Sequence, residues 1–151
     1  LFPTIERHVA KSIVRLASLI DHTPGQRQWR DFASFKTYSM GSTGMSESEF
    51  DAHVGERIAV GSRNAEQNWP VVVELFRARG IPLATHDDTT VEHVAAGAAA
   101  GAVISEFPTT VEAATAAHAR GMATIAGAPN VVRGGSHSGG VSVLELAERD
   151  E

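Results

Sequence analysis

The chain has 151 residues, of which 42% are hydrophobic, so it is long enough and apolar enough to form one globular domain with a buried core. Its formal net charge of −5 argues against a general nucleic-acid or membrane-surface binder, because both need a basic face. It contains no cysteine, so a thiol nucleophile is excluded and any metal site must use histidine and carboxylate.

The N-terminal region gives no sign of a targeting segment. No apolar run in the chain reaches the length of a membrane span, and the first residues do not resemble a signal peptide. We therefore expect a cytoplasmic location and no membrane partner. The chain begins at Leu1 rather than at methionine, inside an apparently amphipathic stretch. This start suggests a fragment of a longer protein.

The first predicted strand covers residues 13–21 and is followed at once by His22. Most of its residues are apolar, and Thr-Pro-Gly after the histidine predicts a turn. The segment 26–44 is polar and has no clear periodicity. It is long enough to be a functional loop.

A long helix is predicted over residues 46–79. Ser46 and Glu49 have the spacing of a capping box, in which each side chain bonds to the backbone amide of the other residue. Gly80 is a typical residue just beyond a helix end. Pro70 lies inside this helix and should kink or divide it, because proline lacks an amide hydrogen and collides with the preceding turn.

A repeat of about twenty residues organises the second half of the chain. Three short apolar runs have the length of buried parallel strands, and they cover residues 82–85, 102–105 and 123–125. The first two are followed by Thr-x-x-Glu, at residues 89–92 and 109–112, which is the sequence of a capping box. Alanine-rich helices come next and end at Gly101 and Gly121, and a last helix is predicted over residues 140–149.

Four strands, each followed by a helix, predict an α/β fold in which neighbouring strands are parallel. Such short strand–helix units are typical of a (β/α)8 barrel, and an open doubly wound sheet is the alternative. A barrel closes only with eight strands. In that case residues 1–151 form one domain that is half of a barrel.

Histidines and carboxylates follow the predicted strands at the points where the strands end. In parallel α/β folds the active site gathers at these carboxyl ends, and side chains from strands about 4.8 Å apart can converge on one ion. The residues concerned are His22, His86, Asp87, Asp88 and Glu106. Imidazole with carboxylate suits zinc, manganese or iron and leaves room for an activated water. We therefore predict a metal or acid–base role for His22 and His86.

A glycine-rich segment after the last predicted strand, residues 127–140, is a candidate phosphate-binding loop. It lies between a strand and a helix start, where free backbone amides favour anions, and loops at this place often hold phosphate in (β/α)8 barrels. Its candidate substrate-binding residues are Asn130, Arg133, Gly134, Gly135, Ser136 and His137. Arg27, next to Gln26, would add a second arginine near the same rim. The alternative interpretation is a flexible turn.

Four segments carry motifs that are specific in combination: residues 21–28, 86–90, 105–110 and 127–139. They resemble the α-D-ribose 1-methylphosphonate 5-triphosphate diphosphatase family of the carbon–phosphorus lyase pathway, within the amidohydrolase superfamily. The resemblance implies a distorted (β/α)8 barrel, of which this chain carries strands five to eight, the C-terminal half. It also implies a divalent metal, with zinc preferred over manganese or iron. The implied reaction hydrolyses a ribosyl triphosphate to a 5-phosphate and pyrophosphate, while bacteria use phosphonates as a phosphorus source.

The resemblance also assigns roles by position. His22 matches the superfamily's metal histidine on the fifth strand, and His86 matches the one on the sixth. The first-strand histidine pair and the fourth-strand ligand have no counterpart here, which fits their lying upstream of Leu1. The superfamily's aspartate after the eighth strand is replaced by Asn130, and asparagine is a poor base and a weak ligand. Proton transfer then falls to another carboxylate, and the candidate catalytic residues are Asp87, Asp88 and Glu106.

Three other functions remain open at this point. A related amidohydrolase acting on a C–N bond would share the metal but would not need a phosphate-binding loop. A non-catalytic sugar-phosphate-binding domain would use the loop and leave the histidines idle, and a defective truncated product would do neither. For the leading interpretation we expect a small ribosyl triphosphate as partner and no nucleic acid. A homo-oligomer is considered for the full-length protein.

Overall fold

The computed structural model describes residues 2–9, 13–136 and 138–149. Helices and strands alternate along most of the chain. In chain order they are α1 (Phe2–Val9), β1 (Ala17–Leu19), a 3-10 turn (Arg27–Trp29), α2 (Phe32–Thr43), α3 (Glu47–Arg77), β2 (Leu83–His86), α4 (Val91–Ala99), β3 (Ala102–Glu106), α5 (Val111–His118), β4 (Ala123–Ile125), α6 (Ala128–Arg133) and α7 (Val143–Ala147).

The four strands form one parallel sheet in the order β1-β2-β3-β4. Thr85 pairs with Leu19 on one side and with Ser105 on the other, and His86 pairs with Glu106. The predicted α/β fold with adjacent parallel strands is therefore confirmed, and this sheet is consistent with part of a (β/α)8 barrel. Because all four strands run in one direction, their carboxyl ends lie along a single edge of the sheet.

The first strand is shorter than predicted. The sequence indicated residues 13–21, but β1 contains only Ala17–Leu19, because only these residues pair with β2. The flanking apolar side chains are largely exposed, with 67% of Ile13 and 55% of Ile20 accessible to solvent. The apolar residues correctly indicated a strand in this segment. They could not show which of its residues form backbone hydrogen bonds with a neighbouring strand.

Helices cover the sheet and bury the main core against it. The core residues are Val9, Leu19, Val73, Phe76, Leu83, Val94, Ala102, Ala113, Ala116, Ala117 and Met122. Small alanines let α5 pack closely, and Gly97 does the same for α4. A methyl group added at Gly97 would collide with the side chain of Thr85 on β2. The strand–helix repeat is thus built on close backbone approach.

The predicted capping box at the start of α3 is confirmed. The Ser46 side chain accepts a hydrogen bond from the Glu49 amide, and the Glu49 carboxylate accepts one from the Ser46 amide. In the repeat, the caps lie one residue later than predicted. Thr90 and Thr110 cap α4 and α5, so residues 89–92 and 109–112 are not the capping segments.

Helix α3 also runs through Pro70 without being divided. The missing amide hydrogen bond is offset locally by burial, because Val73 and Phe76 lie in the core and Trp69 and Val72 pack against it. Among the described residues no helix is both long and apolar enough to cross a membrane.

The expectation of an irregular loop over residues 26–44 is wrong. Asp31 caps α2 by accepting a hydrogen bond from the Ala33 amide, and Gly44 ends it in the left-handed conformation. This helix packs on α3 through a second small core of Phe35, Phe50 and Val54 with Trp29 and Met40. Phe35 is the one buried residue of this helix, so the helix shows no strong apolar stripe in the sequence.

The glycine-rich segment after β4 is also more ordered than predicted. Residues 128–133 form α6, with Pro129 in the first turn and Gly134 ending the helix at a φ of 75°. The last helix, α7, covers only Val143–Ala147 of the predicted residues 140–149. Proline near a helix start and glycine just past its end are typical positions. Because the segment is rich in glycine, the sequence analysis missed the short helix that Pro129 and Gly134 delimit.

Candidate metal centre and adjoining pocket

The backbone turns sharply where β2 ends. Asp87, the next residue, has a φ of 54°, and its amide still donates to the Glu106 carbonyl at 2.9 Å. Phe107 occupies the same place after β3, with a φ of 56° and a hydrogen bond to the Ile125 carbonyl at 2.8 Å. Positive φ values are uncommon outside glycine and unfavourable for a bulky side chain. The turn places the Asp87 carboxylate beside the two histidines.

His22, His86 and Asp87 form a compact group. The Asp87 Oδ2 atom lies 3.0 Å from His22 Nε2 and 3.5 Å from His86 Nε2. The ligand atoms of all three residues lie within 4.8 Å of one another. Asp87 is buried, whereas 40% of the His22 side chain is exposed to solvent. The structure thus brings together both predicted histidines and one of the three candidate carboxylates.

This donor set fits a divalent ion. Ligands of a tetrahedral zinc lie about 3.3 Å apart, given metal–ligand bonds of about 2.0–2.1 Å, and the two Nε2–Oδ2 distances are of this size. In a neutral His86 ring whose Nδ1 donates, Nε2 is an acceptor that faces the acceptor oxygen of Asp87. A cation between these two acceptor atoms would remove the repulsion between their lone pairs.

Glu106 lies behind His86, on the neighbouring strand. Its Oε2 atom is 3.0 Å from His86 Nδ1 and accepts a hydrogen bond of 2.5 Å from the Ser18 hydroxyl of β1. Burial raises the pKa of the Glu106 carboxyl, but the hydrogen bonds from Ser18 and His86 outweigh it, so the pKa lies below its ordinary value. Phe107 packs edge-on against the His86 ring, with centroids 5.3 Å apart. The ring is therefore held on two sides.

Asp88 and Arg27 are partners of each other. Asp88 is fully buried, and its Oδ1 atom accepts a hydrogen bond of 2.8 Å from Arg27 Nη1, while Thr85 and Ser105 donate to Oδ2. Arg27 also donates to the His86 carbonyl at 2.9 Å, and only 11% of its side chain is exposed. Neither residue lines the pocket beside the histidines. This geometry disfavours Asp88 as the proton carrier and Arg27 as a phosphate ligand.

A pocket of about 440 Å³ opens beside the histidines and Asp87, which form part of its wall. This volume is in the range of small-molecule sites. Its other polar lining residues include Gln28, Asn130, Arg133, Ser136 and Ser138. Its apolar lining includes Phe107, Val141, Val143 and Leu146. The histidines and Arg133 line the same pocket, so one ligand could contact both.

Asn130 connects α6 to the start of α7. Its Nδ2 donates to the Val141 carbonyl at 2.9 Å, and its Oδ1 accepts from the Val143 amide at 2.9 Å. An aspartate could accept but could not donate, so an amide side chain is required for both bonds. This double hydrogen bond gives a structural reason for an asparagine at this position.

The other residues predicted to bind substrate divide into two groups. Arg133 and Ser136 line the pocket, and within the described residues Arg133 has no ion-pair partner. The amides of Gly134 and Gly135 instead bond to the last carbonyls of α6, and neither residue lines the pocket. Gln26 also lies off the pocket, close to the Asp21 carboxylate. His137 lies outside the described residues.

Three residues around the site were not singled out from the sequence: Ser18, Gln28 and Phe107. Gln28 and Phe107 occur inside the segments that carry the family resemblance, so that signal was present. Ser18 could be noticed only as one hydroxyl in an otherwise apolar strand. Its partner lies 88 residues away in the sequence, and only the sheet register brings the two together.

Comparison with known proteins agrees with the motif-based resemblance. No model of a protein family matches the chain, and no solved structure does. A curated protein does match: over 146 residues, or 97% of this chain, the sequence is 44% identical to the α-D-ribose 1-methylphosphonate 5-triphosphate diphosphatase of Escherichia coli (strain K12). The chain covers 39% of that enzyme's length. Over nearly all of its residues, this chain is therefore similar to somewhat more than a third of a triphosphate diphosphatase.

Proposed function

We propose that this chain is the C-terminal half of a divalent-metal-dependent hydrolase barrel. The whole protein cleaves α-D-ribose 1-methylphosphonate 5-triphosphate to the 5-phosphate and pyrophosphate in phosphonate catabolism. The observation that carries the proposal is the convergence of His22, His86 and Asp87 beside a pocket at the carboxyl edge of a parallel sheet. The similarity to an enzyme that is named as a diphosphatase of this triphosphate supports the choice of substrate. A cytoplasmic location and a homo-oligomeric full-length protein stay predictions.

His22, His86 and Asp87 would hold the metal ion. When bound, a divalent ion polarises phosphoryl oxygens and lowers the pKa of water, which supplies a nucleophile near neutral pH. Imidazole and carboxylate suit zinc, and they also accept manganese or iron. Of the three candidate carboxylates only Asp87 touches the pocket. We therefore assign Asp87 the position next to the reacting phosphate, as ligand or proton acceptor.

Arg133, which lines the same pocket as the histidines, would bind the phosphate chain. Its guanidinium can donate two parallel hydrogen bonds to phosphate oxygens and offset the charge that develops on the leaving group. Ser136 and Ser138, whose hydroxyl oxygens are 3.1 Å apart, stand beside it as further donors. Apolar side chains, Phe107 among them, line the same pocket. Side chains, more than glycine amides, therefore make the phosphate site.

The test is product analysis with the full-length protein. Zinc-loaded or manganese-loaded enzyme, incubated with the ribosyl triphosphate and followed by phosphorus NMR, should release one pyrophosphate for each 5-phosphate. Enzyme stripped of metal by a chelator should release no pyrophosphate, and its activity should return when the metal is restored. A cyclic amide such as dihydrouracil should not be hydrolysed. Orthophosphate as the first product, a rate independent of metal, or turnover of the amide alone would contradict the proposal.

A further inference from the structure

Glu106 belongs to a hydrogen-bonded chain that crosses three strands. Ser18 of β1 donates to Glu106 of β3 at 2.5 Å, and the same carboxylate oxygen meets His86 Nδ1 of β2 at 3.0 Å. His86 and Glu106 are paired residues in the sheet register, so the backbone itself sets their separation. Adjacent parallel strands are about 4.8 Å apart, which suits a direct side-chain hydrogen bond. The contact is therefore built into the sheet.

The chemistry of imidazole gives this contact a consequence. A neutral histidine ring has one N–H donor and one acceptor nitrogen, and a carboxylate can only accept. With Glu106 as partner, Nδ1 must carry the hydrogen, so the lone pair lies on Nε2. That nitrogen is the one 3.5 Å from Asp87 Oδ2, on the side of His22. The tautomer that binds a cation is thus the one that Glu106 selects.

The position of Glu106 also separates it from the reacting groups. Glu106 does not line the pocket, whereas His86 and Asp87 do. A substrate in the pocket would therefore contact His86 and Asp87 and not Glu106. The Ser18 hydrogen bond further restrains its carboxylate in the position that meets Nδ1.

We propose that Glu106, held by Ser18, is a positioning residue that fixes His86 as the Nδ1–H tautomer and presents its Nε2 atom to the metal ion. It does not carry the proton of the reaction. The inference rests on the proposed metal site, and it concerns how one ligand, His86, is held in the tautomer that can bind the ion. Hydrogen-bond partners of this kind change metal affinity by about 10- to 100-fold when they are removed.

Two substitutions at this position give different expectations. Glu106→Ala removes the acceptor, so His86 should populate both tautomers and the zinc dissociation constant should rise by about 10- to 100-fold. Glu106→Gln keeps an amide oxygen that can accept from Nδ1, so the tautomer should be retained and affinity should fall less. Ser18→Ala frees the carboxylate and should give a smaller loss than Glu106→Ala. Glu66→Ala, at an exposed position of α3, is the matched control.

The experiment reads the tautomer and the affinity separately. Imidazole nitrogen chemical shifts of the metal-free full-length protein, with isotope-labelled histidine and His86 assigned by its absence in His86→Gln, report the tautomer. Competition with a chromophoric chelator reports zinc affinity, and circular dichroism checks folding. If Glu106→Ala fails to fold, Glu106→Gln and Ser18→Ala still test the inference.

The expected result is a mixed His86 tautomer and weak zinc binding in Glu106→Ala, with substantial recovery in Glu106→Gln. Unchanged tautomer and affinity in folded Glu106→Ala would overturn the proposal. So would lost turnover in Glu106→Gln with tautomer and zinc affinity intact, because that pattern belongs to a proton carrier. If the unaltered protein binds no zinc, the proposed metal site fails, while the tautomer of the metal-free protein still decides the role of Glu106.

Discussion

His22 lies just beyond β1 and His86 ends β2, and the two share one carboxylate, Asp87, which lies 3.0 Å and 3.5 Å from their Nε2 atoms. Removing either imidazole would take away one of these three ligands and weaken the binding of a divalent ion. Neither histidine belongs to the main hydrophobic cluster, so its replacement would not empty the core. Substitutions of single residues can therefore test the metal ligands and the phosphate-binding residue separately.

The first prediction concerns the metal ligands. His22→Ala and His86→Ala in the full-length protein should lower metal content and turnover together, because each removes a ligand. Elemental analysis after extensive dialysis, with parallel rate measurements, checks this. His118→Ala, at an exposed position of α5, is the control and should keep both. Undiminished metal content with both site histidines replaced would refute the ligand assignment.

The second prediction concerns Arg133. Arg133→Ala should weaken pyrophosphate binding by about 1.5–3 kcal/mol, the range for hydrogen bonds to charged groups. Arg133→Lys should recover part of this loss, because lysine restores the charge but not two parallel hydrogen bonds. Titration calorimetry at fixed ionic strength measures the change, with Arg63→Ala of α3 as control. Equal affinities of the wild type and Arg133→Ala would mean that Arg133 does not bind phosphate.

Much of the candidate site could be predicted from strand ends, and some of it could not. Strand ends placed His22 and His86 at one rim, since parallel strands finish on a common edge. The sequence could not choose between Asp87 and Asp88, because the choice depends on a left-handed backbone turn at Asp87. Nor could it show that Arg27 is engaged by Asp88, an ion pair between positions far apart in the chain.

At the scale of secondary structure elements, Asn130 ties α6 to α7 across the glycine-rich segment. Asn130→Asp should lose the hydrogen bond to the Val141 carbonyl and place an acceptor against it, a cost of about 1–3 kcal/mol. We predict faster hydrogen exchange over residues 134–143 and weaker pyrophosphate binding, with metal content unchanged. Hydrogen-exchange mass spectrometry measures the first effect, and Asn64→Asp on α3 is the matched control. Identical hydrogen exchange in Asn130→Asp and Asn64→Asp would show that the Asn130 hydrogen bonds do not hold this segment.

Helix α3 approaches the residue after His22 through Gly61. A methyl group there would collide with the Thr23 Oγ1 atom, and the Thr23 Cγ2 and Cβ atoms would lie 3.2 Å and 3.3 Å away. Alanine favours a helix by about 1 kcal/mol over glycine, so propensity alone predicts a gain. We expect the collision to prevail and Gly61→Ala to lower zinc affinity by displacing the neighbour of His22. Gly61→Ala combined with Thr23→Ala should restore it. Unchanged affinity in the single variant would contradict this.

The elements that the sequence predicted well are those that pack on the sheet. β2, β3, α4 and α5 bury apolar residues in the same core, whereas β4 joins the sheet with its three residues exposed. α2 and α6 were missed, because neither is buried in that core. Their stability comes from contacts with another helix or from short-range caps, such as Gly134, which a periodicity analysis does not register.

At the scale of the whole molecule, the sheet has two outer strands, β1 and β4, each with one neighbour among the described residues. Apolar side chains remain exposed beside them, including Ile20 and Ile125. The relative that this chain matches is longer, with the chain covering 39% of its length. These observations support the proposal that further strands complete a barrel. In that barrel, more ligands would face the histidines.

We propose that His22, His86 and Asp87 bind one divalent ion beside the pocket. Anomalous diffraction at the zinc edge, from crystals of the zinc-loaded full-length protein, tests this directly. We expect a peak bonded to His22 Nε2, His86 Nε2 and an Asp87 carboxylate oxygen at about 2.0–2.2 Å. A peak elsewhere, with these three side chains still hydrogen-bonded to one another, or no peak under saturating zinc, would contradict it.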